Sequence, residues 1–240
     1  MAPYILRPLA NGATMCRHDL LRASVGMHAL AAVFLFLLFA AYAMAGADAF
    51  LPGQAAQALA SDDVQVRRDA ATRLGDVGTM ADVALLVASL RDADGDTRDR
   101  AEQALWRIWA RSGDPELDKL YQVGIGQMNA GDLQQAIATF TRIIERKPDF
   151  AEGWNKRATL YYLTGELRRS LADCEQVVKR NPYHFGALSG YAMIYVRLEN
   201  YERALEYARR ALDVNPNLNG VRDTMELIER ALERRRSNTV

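Results

Sequence analysis

Three prolines, Pro148, Pro182 and Pro216, stand 34 residues apart, and the chain between them repeats in step. Gly131 and Gly165 keep the interval. So do Ala136, Ser170 and Ala204, and Phe140, Cys174 and Ala208. Proline lacks a backbone N–H and pushes the residue before it out of the helical region, so it closes a helix. Glycine supplies the positive φ of a tight turn. A fixed period with these residue types marks a stack of helical hairpins, each burying its apolar face only against its neighbours. Such a stack presents a long groove, and function is to be sought there rather than in a catalytic pocket.

The rest of the composition agrees with helices. Of 240 residues, 50% are hydrophobic and 25% charged, and Ala, Leu, Arg and Glu dominate over β-branched alternation. Thirty basic and thirty acidic residues cancel, which gives no global attraction to nucleic acid. Of the two cysteines, Cys16 precedes an apolar stretch and Cys174 falls on a core position of a repeat, where it reads as a small hydrophobe.

That apolar stretch runs from Ala23 to Ala47 without one Asp, Glu, Lys or Arg, and Arg7, Arg17 and Arg22 lie ahead of it. Positive charge before an apolar run keeps the N-terminus on the cytoplasmic side. The small-x-small triplets Ala43-Met44-Ala45 and Ala45-Gly46-Ala47 suit signal peptidase. Residues 1–47 therefore read either as a signal peptide or as an N-terminal membrane anchor, the run being long enough to span a bilayer. A start at Met15 would give a short basic n-region of ordinary form. Either reading puts the remainder outside the cytoplasm, in the periplasm or on the outer face of the inner membrane.

After Pro52-Gly53 two segments align at an offset of 31: Val66 to Leu74 on Thr97 to Leu105. Acidic turns precede them, Ser61-Asp62-Asp63 and Asp92-Ala93-Asp94-Gly95-Asp96. Their Asp and Ser side chains suit helix N-caps. The second turn is not an EF-hand loop: counted from Asp92, the sixth residue is Thr97 and the twelfth Gln103, where glycine and glutamate are required. The run Asp63-x-x-Val66-Arg67-x-x-Ala70-Ala71-x-x-Leu74-Gly75 resembles HEAT repeats, with about two units over 52–113.

Asp114-Pro115 marks a junction. Beyond it, three units follow the pattern Trp-x-x-Leu-Gly-x-x-Tyr, Ala-x-x-x-Phe, Pro. Residues 117–150 give Leu120, Val123, Gly124, Gln127, Ala136, Phe140 and Pro148. Residues 151–184 give Trp154, Arg157, Ala158, Tyr161, Ser170, Cys174 and Pro182. Residues 185–218 give Leu188, Tyr191, Ala192, Tyr195, Ala204, Ala208 and Pro216. These units resemble tetratricopeptide repeats. Arg157 at an apolar position and Glu199 in place of the turn glycine depart from the pattern. Residues 219–236, with Val221, Met225, Leu227 or Ile228, and Leu232, read as an amphipathic capping helix with a basic tail.

The resemblance implies that the first helix of each hairpin lines the groove. Carried over residue by residue, the lining positions are Tyr121, Ile125 and Met128, then Asn155, Thr159 and Tyr162, then Ser189, Met193 and Arg197. Each trio is one stripe on its helix. The lysine/asparagine/arginine clamp by which some family members hold acidic chaperone tails is missing: its positions carry Tyr121, Ile125, Ser189 and Met193. His184 is the one histidine after the leader, and no phosphate loop or Gly-x-Ser-x-Gly elbow occurs. No cofactor, metal, small-molecule substrate or catalysis is expected.

The expected fold is all-α. It is a right-handed α-solenoid in which a short HEAT-like array, three tetratricopeptide hairpins and a capping helix join end to end, behind an N-terminal hydrophobic helix. The expected function is a non-catalytic scaffold or adaptor of the bacterial cell envelope that binds a protein or peptide in the concave groove. The alternatives are a membrane-anchored structural subunit of an inner-membrane complex, or an enzyme accessory subunit with a site near Trp106 and Trp109. Intact mass of the native protein separates the first two. An adaptor freed from the membrane begins near Gly46 or Asp48, whereas an anchored subunit retains residues 1–45.

Overall fold

A computed structural model of the chain describes residues 52–237, and the leader, with Cys16, lies outside them. All regular elements among the described residues are helical. An N-terminal unit comprises α1 (Pro52–Ala58), α2 (Val64–Val77), a 3-10 turn (Met80–Asp82), α3 (Val83–Ser89) and α4 (Gly95–Trp109). Three hairpins follow: α5 (Pro115–Ala130) with α6 (Leu133–Arg146), α7 (Ala151–Leu163) with α8 (Leu167–Arg180), and α9 (Phe185–Arg197) with α10 (Tyr201–Val214). The last helix is α11 (Asn219–Ser237).

The 34-residue interval governs the turns atom by atom. At each hairpin the chain leaves the first helix through a left-handed residue, Gly131 (φ 82°), Gly165 (φ 82°) or Glu199 (φ 56°). The following N–H then donates back into the helix: Asp132 to the Gln127 carbonyl at 2.9 Å, Glu166 to Tyr161 at 2.8 Å, Asn200 to Tyr195 at 2.9 Å. These bonds satisfy carbonyls that a helix end leaves open. Glu199 adopts the glycine conformation although its Cβ disfavours it.

The 31-residue interval is equally literal. Asp63 caps α2 and Asp94 caps α4. Arg67 donates to the carbonyls of Ser61 and Asp62, and Arg98, 31 residues on, to those of Asp92 and Ala93. Arg67 and Arg68 also form two-pronged pairs with Asp92 and Asp94, with contacts of 2.6–2.9 Å. The acidic turn is therefore a clasp between α2 and α4, and the Arg68 guanidinium beside Asp94 holds that carboxyl well below the usual range.

The expectation of two arrays joined end to end is corrected. Gly113 (φ 79°) and the Asp114 cap ahead of Pro115 turn the chain sharply between α4 and α5. The N-terminal unit then lies against the start of α9, the end of α10 and the loop before α11. Phe185 is buried in the core of Leu74, Leu86, Leu105, Ile108 and Trp109, and Val214 and Leu218 pack against it. Asn215 Nδ2 donates to Glu102 at 2.9 Å, Asn217 Nδ2 to the Leu90 carbonyl at 2.8 Å, and Arg91 to the carbonyls of Asp213 and Val214. The cause is the apolar face of α4, whose two tryptophans need more cover than α2 and α3 supply. At the other end, Ile228 of α11 is buried against Ala204 and Leu205, whereas Leu227 is exposed, which resolves the register of that helix.

Two glycines separate steric need from open space. An added Cβ at Gly124 would stand 2.7 Å from the Phe140 ring, while at Gly190 the nearest atom would be Cys174 Sγ at 3.7 Å, ordinary contact. Gly124→Ala is expected to destabilise by about 1–3 kcal/mol through overpacking. Gly190→Ala is expected to stabilise by ~0.5–1 kcal/mol through helix propensity. Urea denaturation of the two variants tests these opposite signs.

Candidate functional site: the cleft between α7 and α9

The first helices of the second and third hairpins, α7 and α9, flank a cleft of about 170 Å³. Asn155, Thr159 and Tyr162 line it from α7, and Ser189 and Met193 from α9. Arg197 stands at one end, with its guanidinium 4.9 Å from the Tyr162 ring centroid and Nη1 donating to the Tyr162 carbonyl at 2.9 Å. Thr159 is exposed, and Met193 is 48% exposed. Ala158, Ser170 and Cys174 form the floor. The thiol is buried there, which pushes its pKa up to about 12.

The first hairpin does not contribute its trio to this cleft. Tyr121, expected as a groove residue, is only 5% exposed; its ring packs edge-on against Phe140 and Phe150. Ile125 and Met128 are half-buried against the same cluster. The reason is local: Gly124 admits the Phe140 ring, and α5 settles deeply enough to draw Tyr121 into the core.

Beneath the cleft lies a polar network with no signature in the repeat pattern. Glu152, in the first turn of α7, is 1% exposed. Its Oε1 accepts the Tyr121 hydroxyl at 3.3 Å and pairs with Lys156 Nζ at 2.8 Å. Its Oε2 accepts Asn155 Nδ2 at 3.1 Å and His184 Nε2 at 2.8 Å. His184 Nδ1 accepts the Ala187 N–H at 3.1 Å, capping α9, and this places the ring hydrogen on Nε2. Trp109 stacks on the imidazole with centroids 4.5 Å apart, and Trp106 meets it edge-on at 5.5 Å.

One carboxylate thus joins α5, α7, the entry to α9 and, through the histidine, α4. Burial alone would raise the Glu152 pKa. The His184 hydrogen bond and the Lys156 charge outweigh burial and lower it from 4.5 to about 2. In the sequence Glu152 looks like an ordinary first-turn acid favoured by the helix dipole. The interval aligns it with Asp118 and Gly186, so the repeat pattern carries no hint of its role.

Arg157, a departure from the pattern, also finds a physical reason. Burial opposes its charge, yet Nε and Nη2 pair with both oxygens of Asp173 at 2.7 and 2.9 Å. The guanidinium lies 5.1 Å from the Trp154 centroid and 5.6 Å from that of Tyr161. It fills an apolar site by stacking its planar face.

Comparison with known proteins agrees with the repeat reading. Residues 123–184 and 185–218 match the tetratricopeptide-repeat family, so tetratricopeptide repeats are present over those residues. A TPR repeat-containing protein of Rhizobium etli is 34% identical over 126 residues, covering 52% of this chain and 62% of that protein. Hsp70-Hsp90 organizing protein 1 of Glycine max is 27% identical over 123 residues, 49% of this chain but 22% of that protein. The chain therefore spans less than two thirds of either relative. Among solved structures, the Sgt2 TPR domain of Aspergillus fumigatus superposes with a TM-score of 0.49 at 21% identity, covering 52% of this chain and 83% of that one.

Because its pKa is lowered on folding, Glu152 contributes stability that is complete above 4.5 and is lost as pH falls toward about 2. Glu152→Gln is expected to cost ~3 kcal/mol at pH 7. The gap between variant and parent should narrow steadily below pH 4.5. Denaturation midpoints at pH 7, 4 and 2.5 check both parts, and a gap independent of pH would remove the carboxylate from its assigned role.

Proposed function

We propose that the tetratricopeptide hairpins form a non-catalytic docking module that holds a peptide segment or helix of a partner protein against α7 and α9. One observation carries the reading: five expected groove residues, Asn155, Thr159, Tyr162, Ser189 and Met193, come from two separate helices and line a single cleft. Tyr and Arg are frequent binding anchors, and methionine adapts its shape to a partner. The Glycine max relative is named as an organiser of Hsp70 and Hsp90. In this chain Tyr121, Ile125, Ser189 and Met193 supply no cation for an acidic tail, so a different partner class is expected.

The setting we propose is the bacterial cell envelope, on the strength of the uncharged run Ala23–Ala47 and the arginines before it. A HEAT-like origin for 52–113 is supported by the paired caps and arginine hooks at an interval of 31. A membrane-anchored structural subunit is the second reading, favoured by the same uncharged run. An accessory site at Trp106 and Trp109 fits less well, since Trp109 is 3% exposed and stacked on His184.

Crosslinking capture from the cell envelope, repeated with Tyr162→Ala and Arg197→Ala, tests the groove. Recovery of the bound partner should fall at least about tenfold for each variant if these are anchors worth more than ~1.4 kcal/mol. Equal recovery by both would move the docking surface elsewhere.

A further inference from the structure

The glycines of α9 differ in kind. The 34-residue interval places Gly186 where the preceding hairpins carry Glu152 and Asp118, and Gly190 where they carry Lys156 and Gln122. Gly186 has a packing reason: a Cβ there would stand 2.5 Å from Trp106 Cη2. Gly190 has none, since its Cβ would meet only Cys174 Sγ, at 3.7 Å. A helix-interior glycine is less favourable than alanine. Its effect here is to leave the cleft without a side chain on that side, opposite Cys174 of α8.

The opened space is uncharged. Among the described residues no Asp, Glu, Lys or Arg lines it. Charged groups around it are occupied: Lys156 by Glu152, Asp173 beside Cys174 by Arg157, and Arg197 by the ring and carbonyl of Tyr162. The rim hydroxyls donate inward, Thr159 to the Asn155 carbonyl at 3.0 Å and Ser189 to the Phe185 carbonyl at 2.8 Å. Their lone pairs are thereby left to accept N–H groups from an incoming chain. A charged side chain would lose its hydration there without a counter-charge, whereas an apolar one gains by burial.

From this geometry we infer that the cleft beside Gly190 is a socket for one leucine- or methionine-sized side chain of an uncharged partner segment, whose backbone N–H groups meet Thr159 and Ser189. The inference rests on the groove reading above and narrows it to a partner chemistry. It also assigns Gly190 as the residue that sets the anchor's size.

The test is selection of a phage-displayed random decapeptide library on the full chain, followed by affinity measurement of the selected peptides. The expected result is enrichment of Leu or Met at one fixed position with no enrichment of Asp or Glu. Binding should fall at least tenfold for Gly190→Leu, which fills the socket, and about threefold for Gly190→Ala. Replacing the enriched Leu or Met of a selected peptide by Ala should also lower its affinity at least tenfold. This readout needs no protein variant and decides the matter even if Gly190→Leu fails to fold. Peptides that lose affinity with Tyr162→Ala but bind the Gly190 variants unchanged and tolerate Ala at the enriched position would overturn the socket and leave the groove standing. A library that yields no binder, or only binders indifferent to both Tyr162→Ala and Gly190→Leu, would overturn the groove reading and the socket with it.

Discussion

A single carboxylate with almost no exposure to water holds four helical segments in register. Glu152 reaches Tyr121 on α5, Lys156 and Asn155 on its own helix, and His184 at the entry to α9. An ion at that depth is tolerable only with its lone pairs satisfied, and each of its oxygens has two partners. Its position therefore dictates how α7 sits between its neighbours. Asn155 is also a cleft residue, so the geometry of the groove wall is inherited from the buried network. The tryptophans of α4 complete the arrangement by excluding water from the histidine side.

This explains why the N-terminal unit flanks the hairpins instead of extending the stack. A solenoid grows when the last helix offers an apolar face to the next unit. Here the apolar face of α4 is taken by Phe185 at the start of α9, Val214 at the end of α10 and Leu218 just before α11. Polar contacts from Glu102, Leu90 and Arg91 to residues 213–217 fix the end of α10 and the loop after it. The unit contacts the second hairpin through Trp106 and Lys156 and the third through Phe185 and Val214.

The hairpins are unequal in consequence although they share a pattern. The first buries its aromatic residue, Tyr121, in the core. In the second and third, Thr159, Met193 and Arg197 stay open while Asn155 is buried, and glycine at 190 leaves space between the two stripes. One open cleft results, flanked by Tyr162, Met193 and, at its end, Arg197. The second hairpin is further stiffened on its α8 side by Arg157, which joins Asp173 to the faces of Trp154 and Tyr161.

Periodic residues determined the helices, their lengths and their turns from sequence alone, because those features depend on backbone preferences local to each unit. The prolines, the glycines at 131 and 165, and the small residues at 124, 158 and 192 specify them without reference to distant chain. The stripe positions on α7 and α9 were legible for the same reason. Tertiary structure alone decided which stripes face open space, that the N-terminal unit packs on Phe185, Val214 and Leu218, and that Glu152 and His184 meet across 32 residues of chain. Those outcomes follow from side-chain volumes and buried charges that converge from several elements. The repeat aligns Glu152 with Asp118 and Gly186, and no period encodes a contact that occurs once.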